Sequence, residues 1–246
     1  QFFSDSSRCK RSAQDYFSTR KGQCMFKRVS MGCKNGSAYL SRVMAMCLKG
    51  VSIMCALAYL DDIIVVTKSL SQHLANLEIV LSRLKWAGLN TKPSKCELFF
   101  FFFKFLGHMI SQQGLQTVDD KIASIRAWTF PKNTKELKSF LGLCGYYRSF
   151  IKDYAAIAAP LTAFLKKGSR VFPTDEAVRA FDDLKHALCN APVLALYRDE
   201  GDLVLDTDSS FYAAGAVLQQ YQDGELKVVE YASRCYNQAE KSYCSN

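Results

Sequence analysis

Tyr59-Leu60-Asp61-Asp62 separates two apolar, β-rich runs, Val51–Ala58 and Ile63–Thr67. Two such runs around a short polar break spell a β-hairpin, and this one has adjacent carboxylates at its tip. Crowding like charges is costly unless a cation compensates them. A tight turn projecting Asp61 and Asp62 is one way to hold Mg2+, a hard ion that takes carboxylate oxygen. In phosphoryl transfer two such ions sit about 4 Å apart, one activating the attacking hydroxyl and the other steadying the leaving pyrophosphate. The competing reading is a solvated turn, because Asp favours turns through its own local hydrogen bonds. The hairpin alone does not choose between them.

Working outward, Leu40, Val43, Met44, Cys47 and Leu48 fall at helical spacing before the hairpin, and Gly50 ends the run. After it, Ser69 and Gln72 open a helix as a capping box, Leu70, Leu74, Leu77, Val80, Leu81 and Leu84 form its apolar stripe, and Gly88 closes it. Short strands are expected near Leu98–Phe103 and Phe105–Ser111. Beyond Gly114 the pattern turns helical. Ile122, Ile125 and Trp128 mark one short helix. Asn133 with Glu136 caps a second, whose face is Leu137, Phe140, Leu141, Cys144 and Ile151. A third covers Leu161–Lys167 and a fourth Asp175–Cys189. After Pro192 the pattern returns to strands at Leu203–Thr207, Ala214–Gln219 and Leu226–Tyr231. The order is α+β, then helical, then β-rich.

Composition bounds the function. A net charge of +9 over 246 residues attracts polyanions, nucleic acid first among them and an anionic membrane surface next. The ten cysteines show neither a CxxC pair nor metal-finger spacing, and several sit among apolar neighbours, as Cys55 does; this reads as a reducing compartment. The longest apolar run, Leu98 to Ile110, is broken by Lys104 and His108 and is too short to span a bilayer. A soluble intracellular chain without a signal peptide is expected, cytoplasmic or nuclear.

The neighbours of the acidic turn decide between metal grip and solvated turn. Tyr59-Leu60-Asp61-Asp62 resembles the Tyr-x-Asp-Asp box of reverse transcriptases. Upstream, Phe17-Ser18-Thr19 through Gly22, Phe26-Lys27-Arg28 and Met31-Gly32-Cys33-Lys34-Asn35 are similar to the segment of gypsy-type long-terminal-repeat retrotransposons that contacts nucleotide and template. Downstream, Ala87-Gly88-Leu89 and Pro93-Ser94-Lys95-Cys96 look like the family's next motif, and Phe105-Leu106-Gly107-His108 like the primer-grip hairpin. Leu137–Ile151, with Leu141-Gly142 and Tyr146-Tyr147-Arg148, is like the segment that follows the palm. Six motifs in order are specific where one is not.

The resemblance implies a right-hand polymerase from a Pol polyprotein: a partial palm over 1–113, thumb and connection helices over 114–171, and a connection helix with the N-terminal strands of an RNase H-like α/β domain over 172–246. It implies that Asp61 binds catalytic Mg2+ and Asp62 completes the turn. Met31, Gly32, Lys34, Asn35 and Tyr59 would lie against nucleotide and template, with Gly32 allowing close backbone approach. Leu106, Gly107 and His108 would meet the primer. Lys95 is a candidate proton donor to pyrophosphate; a surface lysine after a proline reads as well. The partners implied are an RNA or DNA template–primer and deoxynucleoside triphosphates, without a membrane.

A second acidic stretch, Leu205-Asp206-Thr207-Asp208-Ser209-Ser210 followed by Ala214-Gly215-Ala216-Val217-Leu218, is similar to the first strand of a retroelement RNase H domain. There Asp208 would be one of four carboxylates holding two metals. An aspartic protease would need glycine where Asp208 stands, so that reading is rejected. Three departures from the family bear on activity. Its other palm aspartate would precede Gln1, Ser30-Met31-Gly32 stands where the family has Pro-Phe-Gly, and Phe99–Phe103 replaces a polar turn. That phenylalanine run is an aggregation hazard. With Glu240 not matching a catalytic position, the expectation is a piece truncated at both ends that neither polymerises nor cleaves RNA.

Overall fold

A computed structural model describes residues 16–25, 34–51, 56–166, 168–210 and 212–242. The chain divides into two compact units, residues 1–96 and 97–246. Met31 and Gly32 lie outside the described residues.

In the first unit, β1 (Tyr16–Thr19) and β2 (Gly22–Met25) form a hairpin closed by the Thr19↔Gly22 pair, where the Thr19 hydroxyl donates to the Gly22 carbonyl at 2.9 Å. Helix α1 (Gly36–Cys47) buries Val43, Met44 and Cys47, as its spacing predicts. Strands β3 (Ala56–Tyr59) and β4 (Asp62–Val65) are the antiparallel hairpin around the acidic turn. Helix α2 (Leu70–Trp86) starts at Ser69, whose side chain accepts from the Gln72 N–H. It ends in a Schellman motif, with Leu89 N–H on Leu84 O and Gly88 N–H on Lys85 O, and Gly88 supplies φ +70.

The buried face of α2 differs from the expected stripe. Asn76, Val80 and Leu84 point inward, whereas Leu70, Leu74 and Leu81 are exposed. Val80 and Leu84 pack on Met44, with Ala56, Ile63 and Val65 of the hairpin against them. A two-stranded hairpin offers a narrow platform, so only the i, i+4, i+8 row is covered.

In the second unit, β5 (Phe102–Phe105), β6 (His108–Ser111) and β7 (Gly114–Thr117) make an antiparallel meander. The expected strand from Leu98 shifts to Phe102 because a run of phenylalanines has no alternation to set its register. Helices α3 (Asp119–Arg126), α4 (Thr134–Tyr146), α5 (Tyr154–Ala163) and α6 (Asp175–Cys189) follow. Helix α4 carries the capping box its sequence spells: the Asn133 side chain accepts the Glu136 N–H at 2.9 Å, and the Glu136 carboxylate accepts the Lys132 N–H at 2.9 Å. Helix α5 begins seven residues earlier than its expected start at Leu161 and keeps Pro160 inside. Its alanine-rich first turns favour helix, and Ala158 and Leu161 are buried in the core.

Leu137, Phe140, Phe181, Leu184 and Leu188 centre that core. A second antiparallel sheet, ordered β10-β9-β8, is built from β8 (Leu203–Ser209), β9 (Ala213–Gln222) and β10 (Glu225–Cys235), and Val228 and Tyr231 of β10 pack against the same core. No helix among the described residues is long and apolar enough to cross a membrane.

Candidate catalytic and nucleic-acid-binding sites

The acidic turn is a two-residue hairpin loop. Tyr59 pairs with Asp62, leaving Leu60 and Asp61 at the tip. Leu60 has φ +55, a left-handed value that costs an L-residue roughly 1–2 kcal/mol. Such outliers persist where the surroundings over-determine them, often at functional sites. Asp61, Asp62 and Tyr59 are all exposed. A cleft of about 450 Å³ opens between α1 and β3, lined by Ser41, Met44, Leu48, Leu57, Tyr59 and Leu60. The hairpin thus presents its carboxylates to solvent from a base packed on α1 and α2.

Of the other expected residues in this unit, Asn35 is the N-cap of α1 without a side-chain capping bond, and Lys34 precedes it on the surface. Lys95 ends a 3₁₀ turn over Pro93–Lys95 and is exposed.

In the second unit, Leu106 and Gly107 form the two-residue tip between β5 and β6, both at positive φ (+46 and +73). His108 follows, half-buried. Its ring stacks on Tyr146 (centroids 5.2 Å) and Phe150 (5.7 Å) and meets the edge of Tyr147 (5.4 Å). Burial pushes the His108 imidazole below its ordinary pKa, and its Nδ1 is buried without a hydrogen-bond partner among the described residues. The Tyr147 hydroxyl donates to the Gly107 carbonyl at 2.7 Å, and the Tyr146 hydroxyl donates to the Leu106 carbonyl. The sequence names this tyrosine pair as a motif but gives no sign of its partner 40 residues away.

Asp208 lies exposed near the end of β8, opposite Gly215 of β9. One of its oxygens accepts the Ser209 N–H at 2.8 Å. Two positions earlier, Asp206 accepts from the Gln219 amide at 2.5 Å. The fold adds a neighbour that sequence reasoning missed: a Cβ on Gly215 would lie 2.5 Å from an Asp153 oxygen. The bare glycine therefore admits the Asp153 carboxylate beside the strand paired with Asp208.

Asp61, Asp62 and Asp208 all supply hard oxygen donors of the kind Mg2+ takes. Among the described residues no three His, Cys, Asp or Glu side chains gather into a group that could hold a metal ion.

Residues 7–110 match the family model for reverse transcriptase (RNA-dependent DNA polymerase), and residues 174–246 that for the RNase H-like domain found in reverse transcriptase. Both kinds of enzyme generally use divalent metals. The retrovirus-related Pol polyprotein of transposon 297 from Drosophila melanogaster is 37% identical over 228 residues, 92% of this chain and 21% of that protein. That of transposon opus, from the same organism, is 34% identical over 240 residues, 93% of this chain and 24% of that protein. The chain thus spans about a fifth of the length of the curated relatives it matches. Among solved structures, the foamy viral protease-reverse transcriptase in complex with double-stranded DNA is similar at TM-score 0.79 and 28% identity, covering 94% of this chain and 48% of that one. The same protein in complex with an RNA/DNA hybrid is similar at TM-score 0.78 and 28% identity, covering 94% and 31%.

Proposed function

We propose, for a chain that belongs to the reverse transcriptases of retrotransposon Pol polyproteins and carries their RNase H-like segment, that residues 59–62 are the acidic turn of an RNA-directed DNA polymerase. In this reading Asp61 and Asp62 contribute carboxylate oxygens toward Mg2+, which when bound activates the primer 3′-hydroxyl and neutralises the leaving pyrophosphate. Tyr59, Lys34 and Asn35 border the nucleotide and template, together with Met31 and Gly32. Leu106, Gly107 and His108 meet the primer, Lys95 is the proton donor, and Asp208 serves the RNase H-like segment. The substrates are deoxynucleoside triphosphates and an RNA or DNA template–primer.

One observation carries this reading: the Tyr59↔Asp62 register, with Leu60 held at φ +55, fixes two adjacent carboxylates at an exposed hairpin tip. The test is Mg2+-dependent extension of a DNA primer on an RNA template. Extension that Asp61→Asn abolishes supports the reading. No extension by the unaltered chain overturns polymerisation for this chain.

A second reading is favoured by the net charge of +9 and by the likeness to reverse transcriptases solved on nucleic acid. Here the chain holds template–primer without catalysis. Its signature is an affinity that falls steeply and linearly with log salt, because neutralised phosphates release counterions. Salt-insensitive binding, or none, would remove it.

A further inference from the structure

We propose that Tyr146 and Tyr147 are positioning residues that clamp the Leu106-Gly107 turn from outside its own hairpin and fix where that turn meets a primer strand. The proposal rests on the reading of residues 106–108 as the primer contact.

The turn is costly to hold on its own. Positive φ at both central residues is the demand of a tight hairpin whose twist matches its strands. Gly107 meets that demand freely, but Leu106 at φ +46 does not. The missing stabilisation comes from α4 and its end: two tyrosine hydroxyls, from consecutive residues, donate to the two consecutive carbonyls of the tip. A Cβ on Gly107 would come within 3.1 Å of the Tyr146 hydroxyl oxygen, so the glycine also admits the clamp.

Tyr147 is 1% exposed, which leaves its ring no freedom to follow a moving turn. The His108 ring, enclosed by Tyr146, Tyr147 and Phe150, prolongs the contact into β6. Helix α4 is itself anchored by Leu137, Phe140 and Cys144, all fully buried. The tip position is therefore referred to the helical core and not only to a short three-stranded sheet. Leu106 remains partly exposed beyond the clamp, available to a strand running over the tip. Holding a contacting group within a fraction of an ångström is what separates a productive primer end from a merely bound one.

The test is amide hydrogen exchange across residues 105–109 of the full chain, with and without a DNA-primer/RNA-template duplex. It compares the unaltered chain with Tyr147→Phe and Tyr146→Phe, and duplex affinity is measured in parallel. The expected result is duplex-dependent protection of the segment in the unaltered chain. Tyr147→Phe should reduce that protection about five-fold, the scale of one lost hydrogen bond, with duplex affinity nearly unchanged. Should exchange in α6 also rise, Tyr147→Phe has loosened the core; Tyr146→Phe, whose ring is half exposed, then decides by the same criterion. Equal protection in all three chains overturns the clamp while leaving the primer contact standing. A duplex that binds without protecting residues 105–109 even in the unaltered chain overturns both.

Discussion

Leu115 and Leu194 exchange a pair of backbone hydrogen bonds, Leu115 N–H to Leu194 O at 2.7 Å and Leu194 N–H to Leu115 O at 2.9 Å. The next residue, Ala195, donates to Val228 O at 2.7 Å. The segment after α6 thus ties β7 on one side to β10 on the other, joining the sheet with the 106–107 tip to the sheet with Asp208. Gly114 makes this possible: its φ is +139, and a Cβ there would sit 2.1 Å from the Leu194 carbonyl oxygen.

Gly114→Ala should therefore destabilise the chain by about 3 kcal/mol, since backbone cannot yield as a side chain does. Gly142→Ala is the control. It sits inside α4 with nothing within 4 Å of its added Cβ and should be neutral or stabilising by about 0.5–1 kcal/mol. Urea unfolding checks both, and equal effects would refute the strap.

Thiol reactivity should follow burial. Cys144 is fully buried and its pKa is pushed up to about 12 by desolvation, and burial also raises Cys47. At pH 8 both stay protonated, and the thiol is a poor nucleophile. Brief iodoacetamide treatment of the folded chain should label the exposed Cys24, Cys96 and Cys235 and spare Cys47 and Cys144. Peptide mass spectrometry reads this out, and early labelling of Cys144 would contradict the packing of α4.

Acid should loosen the 105–108 turn. Burial lowers the His108 pKa from its ordinary 6.5, so the unfolded chain takes up this proton at a higher pH than the folded chain. Between the two values the unfolded state binds more protons, and stability falls as pH drops below about 6.5. Replacing His108 with Phe should flatten that part of the unfolding-midpoint curve, with the carboxylate-driven loss at lower pH unchanged. An unaltered slope between pH 6.5 and 5 would show that folding leaves the proton affinity of His108 unchanged.

Phe99 to Phe102 are each more than half exposed, Phe101 most of all at 79%. Phe101 precedes β5, so its replacement breaks no strand pairing. Phe101→Lys should raise the soluble fraction and lower light scattering on warming, with the unfolding midpoint shifted little, because a charge interrupts the aggregation-prone run. Unchanged scattering would move the hazard elsewhere.

Local chemistry made much of this protein legible in advance. Helix α6 runs over Asp175–Cys189 as its apolar spacing predicts, and the Asn133–Glu136 box stands where its sequence spells it. The acidic hairpin was also legible, because a short polar break between β-rich runs is a short-range signal, although only the structure shows the Tyr59↔Asp62 pair that shortens the loop to two residues. The sequence marked Asp208 by its likeness to an RNase H strand, and the fold pairs it with Gly215.

Tertiary structure alone decided the rest. Which row of α2 is buried depended on how wide a surface the hairpin offers, and periodicity carries no such information. The approach of Asp153 to Gly215, the strap between Leu115 and Leu194, and the tyrosine clamp on Leu106 and Gly107 join residues tens of positions apart. Each arises because a carbonyl or a bare α-carbon is left accessible only after the strands and helices have packed, and that accessibility is a property of the assembled surface rather than of any stretch of chain.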